Sequence, residues 1–161
     1  KTYDESEQTL RNQHTTVDII LGKLKLEGAE IETISILNKD SLQFEPEEYE
    51  LIVDTALAQA QVKEGVIITH GTDRLDQTGD AIAKRASQLS VPIILTGAIR
   101  PFTMYNSDAL QNLTESLLAV QVLPPGVYCV FHNRVLRFPG VVKDKTRSTF
   151  CYLDDVSSPP S

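Results

Sequence analysis

No run of this 161-residue sequence is apolar enough to span a bilayer and no apolar signal segment stands in it, so it reads as a soluble globular chain with no membrane partner. Basic charge is scarce. Fifteen Lys and Arg face 22 Asp and Glu, a formal net charge of -7, and the cations are scattered, which argues against nucleic acid as a partner. Cysteine is scarcer still: Cys129 and Cys151 lack metal-ligand spacing, and Cys129 in the apolar run VYCVF reads as a small buried hydrophobe. A disulfide framework is not expected, and a reducing, cytoplasmic compartment is favoured. The phosphate-loop and dinucleotide fingerprints are absent. So is an initiator methionine: the chain opens KTYDESEQT, and the expectation is of residues upstream of Lys1.

What the sequence does hold is 41% hydrophobic residues in ordered blocks, enough for one domain over residues 1–161. Residues 1–14 are polar and aperiodic, a surface loop or flexible flap. Val17, Ile20, Leu21 and Leu24 fall at helical spacing, and AEIETISIL alternates as a strand, with NKDSLQF a loop after it. EPEEYELIVDTALAQAQV is the clearest helix, with Pro46 in its first turn, Glu47 and Glu48 complementing the dipole, and Tyr49, Ile52, Val53, Ala56, Leu57 and Ala60 on one face. GVIITH and VPIILTG read as strands buried on both faces. LDQTGDAIAKRASQL between them is helical through Leu75, Ile82, Ala86 and Leu89. SDALQNLTESLLAVQV is helical too, with Ser107 or Asn106 as cap and Leu110, Leu113, Leu117 and Val120 inward, before PPG leads into the strand GVYCVF. The remainder is irregular or short-stranded, and residues 154–161 read as a disordered tail.

Strands alternating with helices predict a three-layer α/β sandwich with a mainly parallel sheet. Ligands bind such sheets beyond the carboxyl ends of the strands, so NKDSLQF, HGTDR and TGAIRP are candidates for one shared site. Asp40 and Ser41, Gly71 to Asp73, and Thr96 to Ala98 supply its small polar groups. Read alone, Thr72 and Asp73 fit a helix cap better than a catalytic pair, and Asp40 and Ser41 fit ordinary loop residues better than a binding site. His70 has no second ligand at metal spacing and no nucleophile motif beside it, so neither a metal site nor a histidine base is expected. Lys143 would by default be an exposed charge, and Arg100 a salt-bridge partner or a structural clamp.

The order of THGTD, LTGAIRP, SDALQNL and VVK, with KDSLQF ahead of them, resembles the amino-terminal domain of the bacterial-type L-asparaginases over residues 29–150. That family shows THGTD, GAMRP, SADGPxNL and VxK in the same order. The resemblance implies a flavodoxin-like fold whose first strand is missing from this chain. It also implies an amidohydrolase releasing ammonia from the side-chain amide of L-asparagine through a threonine nucleophile, with no metal or organic cofactor. It assigns two threonines to the amide, one in a GGT motif after the first strand and the other matching Thr72. Lys143 would tune the Thr72 hydroxyl or a nearby water, and Asp73 would pair with both and hold the substrate α-ammonium. Ser41 would bind the α-carboxylate, Ala98 would line the substrate site and Tyr3 would match a flap tyrosine.

The sequence departs from that pattern in three places. It contains no GGT, so the nucleophile is expected just before Lys1. It ends where the usual carboxy-terminal domain would begin, as in a short single-domain branch in which a homodimer could bury the exposed apolar surface. KDKTRSTF is shorter than the usual stretch, leaving Lys143 preferred over Lys145 by its VVK context. The competing readings are a non-catalytic amino-acid-binding or scaffold member of the same fold, and an amidase for glutamine or another small amide.

Overall fold

In the computed structural model residues 16–37 and 40–156 are described. They fall into two compact units, Lys1–Asn38 and Lys39–Ser161. The expected loop over residues 1–14, Tyr3 within it, and residues 157–161 of the expected tail lie outside the described residues.

In the first unit the helical spacing after Thr15 becomes α1, Thr16–Leu21, with Ile20 buried. The helix ends one turn earlier than predicted, with Leu24 outside it, because Gly22 follows at once and glycine costs about 1 kcal/mol in a helix interior. The strand predicted for AEIETISIL does not form among the described residues. Ile31 and Ile34 are more than a third exposed there. Alternation supplies a pattern for a strand, but the ladder also needs a neighbour, and no described strand pairs with this segment.

The second unit opens with a 3-10 turn, Ser41–Gln43, whose preceding Asp40 side chain accepts the Leu42 N–H at 3.0 Å. Helix α2, Pro46–Gln59, follows; Glu48 reaches back to the Glu45 N–H at 2.7 Å, and Ile52, Val53 and Ala56 are buried. Strand β1, Val66–Thr69, leads to helix α3, Leu75–Arg85, and strand β2, Pro92–Thr96. Helix α3 stops at Arg85, short of the predicted Ala86 and Leu89, because Ala86 turns to extended backbone. Helix α4, Ala109–Val122, then leads to strand β3, Gly126–Phe131, and strand β4, Arg134–Arg137. The last pair is β5, Val141–Asp144, and β6, Thr149–Tyr152. A 3-10 turn at Leu153–Asp155 takes up the first residues of the expected tail.

The main sheet has the order β1-β2-β3-β4, with β1, β2 and β3 parallel and β4 turned back antiparallel. His132 and Asn133 make that turn, both at positive φ, as a two-residue hairpin requires. Strand side chains alternate between faces, and the alternation separates two cores. Ile93, Leu95, Val127, Cys129 and Phe131 pack with Val53, Ala56, Leu75 and Ile82 from α2 and α3, so Cys129 is buried as expected. Ile94, Tyr128 and Val130 pack with Ala119 from α4. Helices therefore cover both faces, the predicted three-layer α/β arrangement. Gly79 of α3 is where Phe138 packs: a Cβ there would run into the Phe138 ring.

One helix face departs from its prediction. Leu110 is 40% exposed, while the polar Asn112 and Ser116 are wholly buried. Both have partners, Asn112 with Gly97 O at 2.9 Å and Ser116 with Asn112 O at 2.7 Å, so neither side chain is buried without a hydrogen bond.

Candidate active site

Parallel strands end on one edge of the sheet, and two of the predicted loops leave from that edge. Strand β1 ends at Thr69, and the chain passes through His70, Gly71, Thr72 and Asp73 to α3. Beside it β2 ends at Thr96 and continues into Gly97 and Ala98. The His70 N–H donates to Thr96 O at 2.8 Å, so the two loops start in register. Gly97 lies against the Thr72 turn: a Cβ on it would collide with His70 O and stand 3.6 Å from Thr72 Cγ2. Ala98 follows, half-buried.

Thr72 is 9% exposed. From a position 71 residues later, the Lys143 ammonium donates to Thr72 Oγ1 at 2.9 Å and to Asp73 Oδ1 at 2.7 Å. Lys145, two residues on, is exposed. The Lys143 side chain is 17% exposed and that of Asp73 45%, so the ammonium is largely enclosed while the carboxylate keeps a face to solvent.

Ser41 enters from the third predicted loop, Asp40–Phe44. It is 1% exposed, and its hydroxyl oxygen is buried without a hydrogen-bond partner among the described residues. It sits so close to Gly71 that a Cβ there would be 2.7 Å from Ser41 Oγ; glycine is what permits the approach. The structure thus brings Ser41, Thr72, Asp73, Lys143 and Ala98 to one edge.

His70 behaves as a packed residue. Its Nδ1 lies 2.7 Å from Gly71 O and its Nε2 3.0 Å from Thr78 Oγ1. A carbonyl can only accept, so Nδ1 carries the proton and Nε2 accepts from Thr78. Burial pushes the imidazole pKa down, only partly offset by the Gly71 carbonyl and the Asp76 charge. Phe44 meets the ring edge-on at 5.4 Å.

Sequence reasoning missed the residues that hold these loops. Arg74 donates to the Tyr49 hydroxyl at 3.2 Å and to Leu42 O at 3.3 Å, tying the serine loop to the threonine turn. Asp108 accepts the Ile99 N–H at 3.1 Å and the Arg100 N–H at 2.9 Å, which fixes the backbone just after Ala98. Its other partners are Asn112 Nδ2 at 3.0 Å and His132 Nε2 at 2.8 Å. Burial works to raise the Asp108 carboxyl, but the Arg100 and Ile99 N–H groups and the His132 ring outweigh it and leave the pKa below its ordinary value. The signal was present in SDALQNL, where Asp108 and Asn112 stand four apart on one helix face. Among the described residues no group of three or more His, Cys, Asp or Glu is placed to hold a metal ion, and no helix is long and apolar enough to cross a membrane.

The family description "Asparaginase, N-terminal" matches residues 1–159. The chain belongs to the asparaginase family. The L-asparaginase of Thermococcus kodakarensis is 35% identical over 117 residues, 73% of this chain and 36% of that protein. L-asparaginase 1 of Escherichia coli K12 is 31% identical over 99 residues, 61% of this chain and 29% of that protein. A glutamyl-tRNA(Gln) amidotransferase polypeptide from Methanococcus vannielii is 39% identical over 72 residues, 45% of this chain and 17% of that protein. The solved Thermococcus kodakarensis L-asparaginase superposes with a TM-score of 0.75 at 33% identity, over 83% of this chain and 42% of that one. A probable cytoplasmic L-asparaginase from Campylobacter jejuni superposes with a TM-score of 0.67 at 28% identity, over 77% and 41%. This asparaginase-family chain matches 36%, 29% and 17% of the length of the three curated relatives.

Proposed function

We propose that the protein is an amidohydrolase that converts the side-chain amide of L-asparagine to L-aspartate and ammonia, and that Thr72, Asp73 and Lys143 form part of its catalytic site. The observation that carries this reading is the Lys143 ammonium shared between Thr72 Oγ1 and Asp73 Oδ1. A cation donating to a hydroxyl oxygen lowers the cost of forming alkoxide there, or hydroxide on a water beside it. The oxygen nucleophile adds to the amide carbonyl, the C–N bond breaks and the nitrogen leaves as ammonia; water completes the hydrolysis.

In the family pattern the threonine that forms the acyl intermediate stands in a GGT motif. This sequence has none, so the share assigned to its own residues is activation by Thr72 and Lys143. Asp73 uses Oδ1 on Lys143 and keeps a solvent-facing side for a cationic α-amino group. The unpartnered Ser41 hydroxyl next to Gly71 suits a substrate carboxylate, because a buried hydroxyl gains from any partner that reaches it.

The test is ammonia release by the full-length protein from asparagine, glutamine and other small amides, repeated with Thr72→Val. Turnover of asparagine that Thr72→Val abolishes supports the assignment. No turnover of any amide points instead to an amino-acid-binding or scaffold protein on the same fold.

A further inference from the structure

Lys143 reaches Thr72 from β5, a strand that pairs only with β6 among the described residues and is not hydrogen-bonded into the main sheet. Something other than the sheet ladder has to set how far β5 slides along the molecule. Two carboxylates on α3 meet the backbone there: Asp76 Oδ2 accepts the N–H of Lys143 within β5 at 3.3 Å, and Asp80 Oδ1 accepts the N–H of Gly140, the residue just before β5, at 3.2 Å. Asp76 and Asp80 stand four apart, one above the other on the helix surface. Asp76 is held in turn, its Oδ1 accepting the Gln77 N–H at 2.9 Å. The first turn of α3 follows closely on Thr72 and Asp73, so the helix that positions the threonine also grips the strand that carries the lysine.

We infer that Asp76 is a positioning residue for Lys143, its carboxylate fixing the register of β5 against α3 so that the ammonium falls between Thr72 and Asp73. This rests on the amidohydrolase reading above for its kinetic consequence, but not for its geometry. Strand side chains alternate faces with a period of two, so a slip of one residue would turn Lys143 away from Thr72. The buried Val141 anchors β5 in the core through apolar packing; a hydrogen bond is directional where an apolar contact is not. An aspartate in the first turn of a helix is otherwise an ordinary dipole complement. That role predicts an effect on stability alone.

The two roles separate in the full-length protein carrying Asp76→Ala or Asp76→Asn. Acetic anhydride labelling of Lys143, read by mass spectrometry against the exposed Lys84, reports enclosure of the ammonium whatever the activity. Asp76→Ala is expected to raise the labelling of Lys143 relative to Lys84 and to lower kcat about tenfold with KM held within about threefold. Asp76→Asn keeps one oxygen to accept the Lys143 N–H while losing the acceptor for the Gln77 N–H, so it restores both in part. In a Lys143→Met background Asp76→Ala lowers kcat by less than about twofold further, since residues acting as a unit are not additive. Unchanged Lys143 labelling in Asp76→Ala overturns the inference, as does a full additive loss in the Lys143→Met background. If the wild type hydrolyses no amide, the amidohydrolase reading fails and the labelling alone decides the positioning role.

Discussion

Replacing Lys143 with methionine keeps most of the side-chain stem and removes the charge and its donors. In the native protein that ammonium donates to Thr72 Oγ1 at 2.9 Å and Asp73 Oδ1 at 2.7 Å, and a hydrogen bond to a charged group is worth about 1.5–3 kcal/mol. The effect on folding is expected to be much smaller than two such bonds suggest. The Asp73 side chain is 45% exposed, so solvent takes over its carboxylate, and such a pair contributes on the order of 0–1 kcal/mol. For a chain of this size that amounts to about 2–4 °C or less in Tm. Catalysis has no such substitute, because water cannot hold a cation at a 9% exposed hydroxyl. A positioned group acting on the reacting hydroxyl contributes about 10²- to 10⁴-fold, or about 3–5 kcal/mol of barrier. Lys143→Met should therefore lose at least about a hundredfold in kcat for asparagine while melting close to wild type. The assay is ammonia release beside a thermal melt. A kcat within about threefold of wild type refutes the catalytic role of the lysine, and a fall in Tm of about 10 °C or more makes it a structural residue instead.

Gly71→Ala places a Cβ 2.7 Å from Ser41 Oγ, which the backbone or Ser41 must yield to, so KM for asparagine should rise about tenfold or more with a stability loss of about 1–3 kcal/mol; an unchanged KM separates Ser41 from substrate binding. Gly79→Ala drives a methyl into the Phe138 ring and should cost about 1–3 kcal/mol or more by denaturant titration, with Phe138→Leu recovering part of it. His70 is buried with its pKa lowered by desolvation. The unfolded chain therefore binds the proton first as pH falls: stability is fully present above the unfolded pKa of about 6.5 and is lost as pH falls below it through the lowered folded value. His70→Gln should flatten that part of the stability-pH curve, as urea melts across the range will show. Arg74→Ala, by freeing Leu42 O and the Tyr49 hydroxyl, should raise KM more than it lowers kcat.

Much of the sheet was legible because its strands are continuous apolar runs. GVIITH and VPIILTG became β1 and β2, paired in parallel. AEIETISIL had the alternation of a strand and still formed none among the described residues, since periodicity describes one chain segment and a ladder requires two. The inward face of α4 was misjudged at Leu110 for a related reason. Hydrophobicity predicts Leu in and Asn out, but Asn112 finds Gly97 O, Asp108 and the His132 N–H waiting inside, and such long-range partners leave no local trace. Of the candidate site, Thr72, Asp73, Lys143 and Ser41 were visible only through ordered motifs; their residue types alone fit a cap, a surface charge and a loop better than a site. Asp76 carries no distinguishing pattern in LDQTGD, and only the fold shows its carboxylate accepting the Lys143 N–H.

The central claim is that the Thr72 hydroxyl takes part in amide hydrolysis. Thr72→Ser keeps the hydroxyl and Thr72→Val keeps the shape, so comparing their ammonia release from L-asparagine isolates the oxygen held by Lys143. Thr72→Ser is expected to retain a measurable fraction of wild-type kcat while Thr72→Val falls by about a hundredfold or more. Equal turnover by Thr72→Val and wild type would contradict it.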